Sequence, residues 1–172
     1  MENLIDVIAD RWSVRSFSDR KVEQEKVDLI MRAGNLAPTA MDRQPQRILA
    51  ITGKEALERL MGCKGQRFGE TLAFVVCYDA QECCNLEDGR SSGIMDASIV
   101  GTHMMLEAAS LGVGSVWALR FDPQAVRREF GLPESVVPAF VLSMGYPAGD
   151  AQPNPRHFQR KEIGQTVTVM DN

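Results

Sequence analysis

The chain predicts a single domain of mixed α and β structure, an α+β or α/β arrangement, and three observations lead there. Its 172 residues suit one domain of ordinary size with a real core. The composition, 44% apolar and 24% charged, is that of a globular protein. Helical and strand periodicities then alternate along the whole length, with no repeat, linker or low-complexity stretch between them.

Leu4, Ile5, Ile8 and Trp12 recur at helical spacing and place a first helix just before "RWSVRSF", Arg11 to Phe17. Val27, Ile30, Met31 and Gly34 mark a second helix, closed by the breaker "NLAP" at Asn35 to Pro38. "RILAI" (Arg47–Ile51) reads as a strand, "KEALERLM" as a short helix and "LAFVVCY" (Leu72–Tyr78) as a buried strand, followed by a polar loop over 79–92. From Met95 to Leu111 the pattern is apolar on nearly all sides, which predicts a helix enclosed in a core or an interface.

"GSVWAL" (Gly114–Leu119) follows as a strand. Asp122 as N-cap, Pro123 at the first helical position and Gly131 just past "AVRREF" delimit another helix. "VPAFVLSMG" (Val137–Gly145) is a further buried strand. The proline-rich stretch beyond it leads to the alternating "TVTVM" (Thr166–Met170), a strand without a hairpin partner that would suit pairing with another subunit. Residues 1–172 thus form one domain, with 150–172 as an extended C-terminal arm.

Charge and hydropathy narrow the function. A net charge of −4 and a pI near 5.2 argue against a nucleic-acid partner. "MENLIDVIAD" has acids where a signal peptide carries a basic region, which predicts a cytoplasmic protein. The apolar region 99–119 is interrupted by His103 and Glu107, so no membrane partner is expected. Cys63, Cys77, Cys83 and Cys84 read as free thiols, Cys77 in the core and the Cys83-Cys84 pair in a surface loop.

Several chemistries lack their residues. "GVGSVW" follows a helix and precedes a strand, the reverse of a dinucleotide fingerprint, and there is no P-loop, HExxH or nucleophile elbow. His103 and His157 are the only histidines, His103 suiting an interior or interface position. No metal site and no catalytic side chain is proposed. What remains is cationic: Arg11 and Arg15 around Ser13, and Arg160 with Lys161 near the end. Guanidinium forks and a hydroxyl suit phosphate oxygens; the alternative is that these are solvated surface charges.

Taken in order, "RWSVRSF", "APTAMDRQP", the apolar helix with "GVGSVWALRFDP", "GLPESVVPAFVLSMGYP" and "RHFQRK" resemble the flavin-dependent nitroreductase family over nearly the whole chain. The resemblance implies an α+β homodimer with a mostly antiparallel central sheet and an exchanged C-terminal arm. It implies FMN at the subunit interface, reduced by NAD(P)H and reoxidised by a small-molecule electron acceptor in ping-pong fashion. By it, Arg11, Trp12, Ser13 and Arg15 hold the FMN phosphate with Arg160 and Lys161. Pro38, Thr39, Ala40 and Gln44 contact the flavin of the partner subunit, and Trp117, Ala118, Leu119 and Arg120 line the ring. Asp42, Gln46 and Arg120 depart from the family's common asparagine, tryptophan and glycine. The alternative reading is a flavin-binding or regulatory dimer without significant turnover.

Overall fold

The computed structural model describes residues 3–171. Its elements run α1 (Leu4–Asp10), α2 (Gln24–Asn35), β1 (Gln46–Ile51), α3 (Lys54–Gly62), β2 (Leu72–Asp79), α4 (Gly93–Ser110), β3 (Gly114–Ala118), α5 (Pro123–Phe130) and β4 (Val136–Gly145). Short 3-10 turns lie at Ala40–Asp42, Pro155–Phe158 and Ile163–Gln165. The strands form one sheet in the order β1-β2-β4-β3, antiparallel at every pairing. This is the expected α+β architecture.

Strand β2 is apolar without interruption because both of its faces are covered. Leu72, Phe74 and Val76 join Phe140, Leu142 and Met144 of β4 in a core shared with α2 and α4. Ala73, Val75 and Cys77 join Val141 in a second core closed by Leu57 and Leu60 of α3 and Val126 of α5. The two-residue alternation of a strand therefore sends apolar groups to both sides. Pro138 of β4 sits where the register with β2 shifts, opposite Cys77, a bulge position that tolerates its missing N–H.

The signals read for α5 all act. Asp122 Oδ1 accepts from the amides of Gln124 (2.9 Å) and Ala125 (3.1 Å), Pro123 occupies the first turn, and Gly131 closes the helix in the left-handed region at φ 63°.

Helix α4 meets the sheet at Gly101. A methyl group there would lie 2.5 Å from Phe140 Cζ, and the bare glycine lets the Phe140 and Trp117 rings stack beneath the helix at 3.7 Å. Only one side of α4 is enclosed, by Ala97, Val100, Met104 and Ala108; Ile94, Met95, Ile99 and His103 are exposed, with His103 Nδ1 2.9 Å from the Ile99 carbonyl. Among the described residues α1, α2 and the sheet cover one flank alone, so of the two expected settings, a core or an interface, full enclosure in this chain's own core is not met.

Two further expectations are corrected. Thr166–Met170 is not a strand: every residue there is exposed, and a lone segment without a neighbour has no ladder to join. Cys83 and Cys84 do not lie on the surface. They are 1% and 7% exposed, tucked beneath the start of α4, while Cys77 is core as expected and its thiol is pushed up to about 12 by burial.

A polar knot braces the lower sheet. The Lys64 ammonium is buried against the Glu70 carboxylate and donates to Ser143 Oγ at 2.7 Å; Ser143 in turn donates to Glu70 Oε1 at 2.6 Å. Glu70 Oε2 accepts the Phe68 amide at 3.1 Å. Burial opposes the ionisation of Glu70, but the bonds from Lys64 and Ser143 outweigh it and hold its pKa below the ordinary value.

Two outcomes are expected. Gly101→Ala overpacks the α4 seat and lowers the urea midpoint by an amount equivalent to about 1–3 kcal/mol, with m unchanged. Glu70→Ala leaves Lys64 buried and unpaired and costs about 3–5 kcal/mol near pH 7. Because the folded carboxyl has the depressed pKa, its contribution is complete above the unfolded value of about 4.3 and is lost as pH falls through the folded one. In acid-series unfolding, the gap between wild type and Glu70→Gln should therefore narrow below about pH 4.

Candidate functional site

The segment after α1 runs extended beside the start of β3, with Ser13 bridged in parallel to Ser115 and the Val14 amide donating to the Ser115 carbonyl at 3.0 Å. Val14 and Phe17 are buried with Val116, against Trp12 and Phe68. Anchoring the apolar side chains inward leaves Arg11, Ser13 and Arg15 to face the other way.

They face a cleft of roughly 380 Å³ whose opposite wall is the C-terminal segment, through Asn154, Arg156, His157 and Arg160. No carboxylate lines it, and among the described residues none of these arginines forms an ion pair. Burial, and then the nearby Arg160 guanidinium, push the Arg11 pKa below the ordinary arginine value. Arg15 Nη1 donates only to the Ser13 carbonyl (3.3 Å) and Arg160 Nη1 only to that of Gln159 (3.2 Å). Cations held together without a counter-charge are arranged for an anion, and forked guanidiniums with a hydroxyl fit the oxygens of a phosphate.

The structure thus brings together four of the six residues expected around a phosphate. Trp12 lines the adjoining recess, and Lys161 is exposed outside the cleft. It adds Asn154, Arg156 and His157, which the sequence reading passed over. Their available signal was "NPRHF": Asn154 caps the turn through Oδ1 to the Arg156 amide at 2.9 Å, and Pro155 opens it.

The loop expected to serve a partner subunit is strained and firmly held. Met41, Asp42 and Gln44 adopt φ of 54°, 52° and 50°, the left-handed region that side chains disfavour. Thr39 Oγ1 accepts the Gln44 amide at 3.0 Å, and Gln44 Nε2 donates to Asp42 Oδ1 at 3.1 Å. Pro38 is exposed, and Ala40 donates its amide to Asp96 Oδ1 at 2.9 Å.

Asp96 is 2% exposed in the first turn of α4, a position that favours a carboxylate. Its other oxygen accepts from Ser92 Oγ (2.6 Å), which itself accepts the Cys84 amide (3.0 Å). Met41 Sδ, at the exposed loop tip, lies 3.5 Å from Cys84 Sγ. The start of α4 therefore clamps two loops at once.

The residues expected along the ring diverge. Trp117 turns toward α4 onto Phe140, Ala118 is buried on the opposite face, and Leu119 and Arg120 stand exposed beyond the strand. The Arg120 carbonyl accepts the Gly65 amide at 3.2 Å, which ties this turn to the Lys64 knot.

The family model described as "Nitroreductase family" matches residues 8–70 and 61–146. A relative from Methanothermobacter thermautotrophicus, named as an NADH dehydrogenase/NAD(P)H nitroreductase, is 32% identical over 155 residues, covering 85% of this chain and 78% of its own. The crystal structure of a nitroreductase family protein from Clostridium difficile 630 superposes with a TM-score of 0.90 at 35% identity, over 98% of both chains. An FMN-dependent nitroreductase from Clostridium difficile R20291 superposes with a TM-score of 0.79 at 25% identity, over 98% of this chain and 99% of that one. Matched in sequence across both halves of the domain and in backbone from end to end, this chain belongs to the nitroreductase family.

Proposed function

We propose that the chain is an oxidoreductase that holds FMN and passes reducing equivalents from NAD(P)H to a small electrophilic acceptor, such as a nitroaromatic or a quinone. The observation that carries this reading is the cleft of unpaired arginines beside Ser13, a donor set that fits the FMN phosphate. When bound, FMN supplies two-electron redox chemistry by itself, so that step requires no acid–base side chain from the protein. In this reading the two half-reactions alternate at one site, as ping-pong kinetics would record.

The chain's own residues anchor and orient. Arg11, Arg15 and Arg160 would donate to the phosphate with the Ser13 hydroxyl, and Lys161 would add charge nearby. The half-buried position of Arg11 strengthens its pull, because less water screens it. Leu119 and Arg120, at the exposed end of β3, would present backbone to the ring edge, with Trp117 and Ala118 fixing the strand from either side.

The proposed assembly is a homodimer. Leu4, Ile5 and Ile8 of α1, Ile94, Met95 and Ile99 of α4, and Phe158, Ile163, Val167 and Met170 of the arm are all exposed. That is far more apolar surface than isolated exposed residues account for, and a second copy would cover it. Across such an interface the clamped loop would offer Pro38, Thr39, Ala40 and Gln44 to the partner's flavin. Among the described residues no helix is long and apolar enough to cross a membrane.

The test is the visible spectrum of the purified protein, with FMN and then NAD(P)H added anaerobically. Bound flavin that bleaches promptly and is restored by an acceptor supports the reading. A yellow protein that bleaches only over hours would favour a flavin-binding dimer, and failure to bind excess FMN would sink the assignment. Arg15→Ala is expected to weaken FMN binding by about 1.5–3 kcal/mol in a fluorescence-quenching titration; unchanged affinity would remove Arg15 from the cradle.

A further inference from the structure

The cleft carries more positive charge than one phosphate calls for. A phosphate monoester brings about −1.5 to −2 at pH 7. Arg11, Arg15 and Arg160 already match it, yet Arg156 lines the same space with His157 beside it, and no acid separates them. These two residues share one short turn, held by the Asn154 cap and by the His157 amide donating to the Asn154 carbonyl at 2.7 Å. His157 is half-buried, its ring set edge-on to Phe158. The backbone of this wall is therefore held, and it sets both residues at the cleft.

A second feature lies next to it. Ser13, Arg15 and Asn154 also border an adjoining recess of about 240 Å³, whose other lining residues are Trp12, Ser16, Ala151 and Gln152. Aromatic, amide and hydroxyl residues gathered at one recess are the types that receive a nucleobase. The cleft that holds Arg156 and His157 and this recess adjoin through three shared residues, Ser13, Arg15 and Asn154.

We infer that the cleft holds two phosphate groups at once: that of FMN on Arg11, Ser13, Arg15 and Arg160, and the 2′-phosphate of NADPH on Arg156 and His157, with the adenine against Trp12. The inference rests on the FMN reading of the same cleft and extends it to the identity of the hydride donor. NADH would leave Arg156 uncompensated among three other guanidiniums, so the site selects the phosphorylated donor by charge. Arg156 acts as a specificity residue.

The experiment measures the reductive half-reaction of the FMN-loaded enzyme by anaerobic stopped flow, with NADPH and NADH, for wild type and Arg156→Ala, beside FMN and FAD titrations of both apoproteins. Wild type is expected to favour NADPH at least tenfold. Arg156→Ala should lose about 10- to 100-fold in NADPH efficiency, the loss of one charged hydrogen bond, with NADH efficiency and FMN affinity unchanged.

Equal use of both donors by the wild type would overturn the inference. So would a fall in FMN affinity in Arg156→Ala as large as in Arg15→Ala, which would assign Arg156 to the first phosphate. Tighter retention of FAD than FMN without donor discrimination would give the second position to a flavin pyrophosphate and likewise overturn it. Failure of the wild type to bind FMN is a separate result, which removes the FMN reading itself.

Discussion

The seating of α4 on the sheet is the contact from which the rest of the molecule hangs. Gly101 brings the helix down onto the stacked Phe140 and Trp117 rings, closer than any side chain there would allow. With that depth fixed, both ends of the helix are fixed too. Its start carries Asp96 and Ser92 to the loop at 39–44 and to Cys84. Its end leads through Gly112, at φ 71°, into β3, where Ser115 pairs with Ser13. The extended segment that carries Arg11, Ser13 and Arg15 and the loop at 39–44 are thus both referred to one helix.

The opposite side is held by charge. The Lys64–Glu70–Ser143 knot locks a loop that touches both margins of the site: the Gly65 amide reaches the Arg120 carbonyl, and the Phe68 carbonyl accepts the Phe17 amide at 3.0 Å. A buried ion pair is a weak source of net stability and a strong source of geometry, since neither ion has a tolerable alternative position. The loop at 39–44 shows the converse economy. Left-handed residues there cost on the order of 1 kcal/mol each, and the bonds from Asp96, Thr39 and Asp42 maintain a conformation that local preference opposes.

Much of this was legible in the chain. The Asp122, Pro123 and Gly131 signals located α5, and the unbroken apolar run located β2, because both report local physics. The arginines flanking Ser13 stood out in the sequence, and the fold turns both toward one cleft. What escaped notice depends on distant neighbours. Whether Cys83 and Cys84 are covered is decided by α4, and whether "TVTVM" pairs is decided by a neighbour this chain does not provide. Arg156 and His157 join the cleft only because the tail folds back across the N-terminal segment, a proximity that a sequence separation of well over a hundred residues conceals. The strain at Met41, Asp42 and Gln44 was equally hidden, since no glycine marked it.

The chain as a whole is acidic, with a net charge of −4, while the cleft concentrates arginines without a compensating acid. An approaching polyanion therefore meets a repulsive far field and an attractive near field, which change places within a Debye length, about 8 Å at physiological ionic strength. Dissolved salt acts on the two unequally: it erases the distant repulsion first and the contact-range attraction last, because the latter acts within a Debye length. The cleft thereby works as a short-range collector in a molecule that otherwise turns anions away, and capture is governed by where an encounter happens more than by how often one occurs.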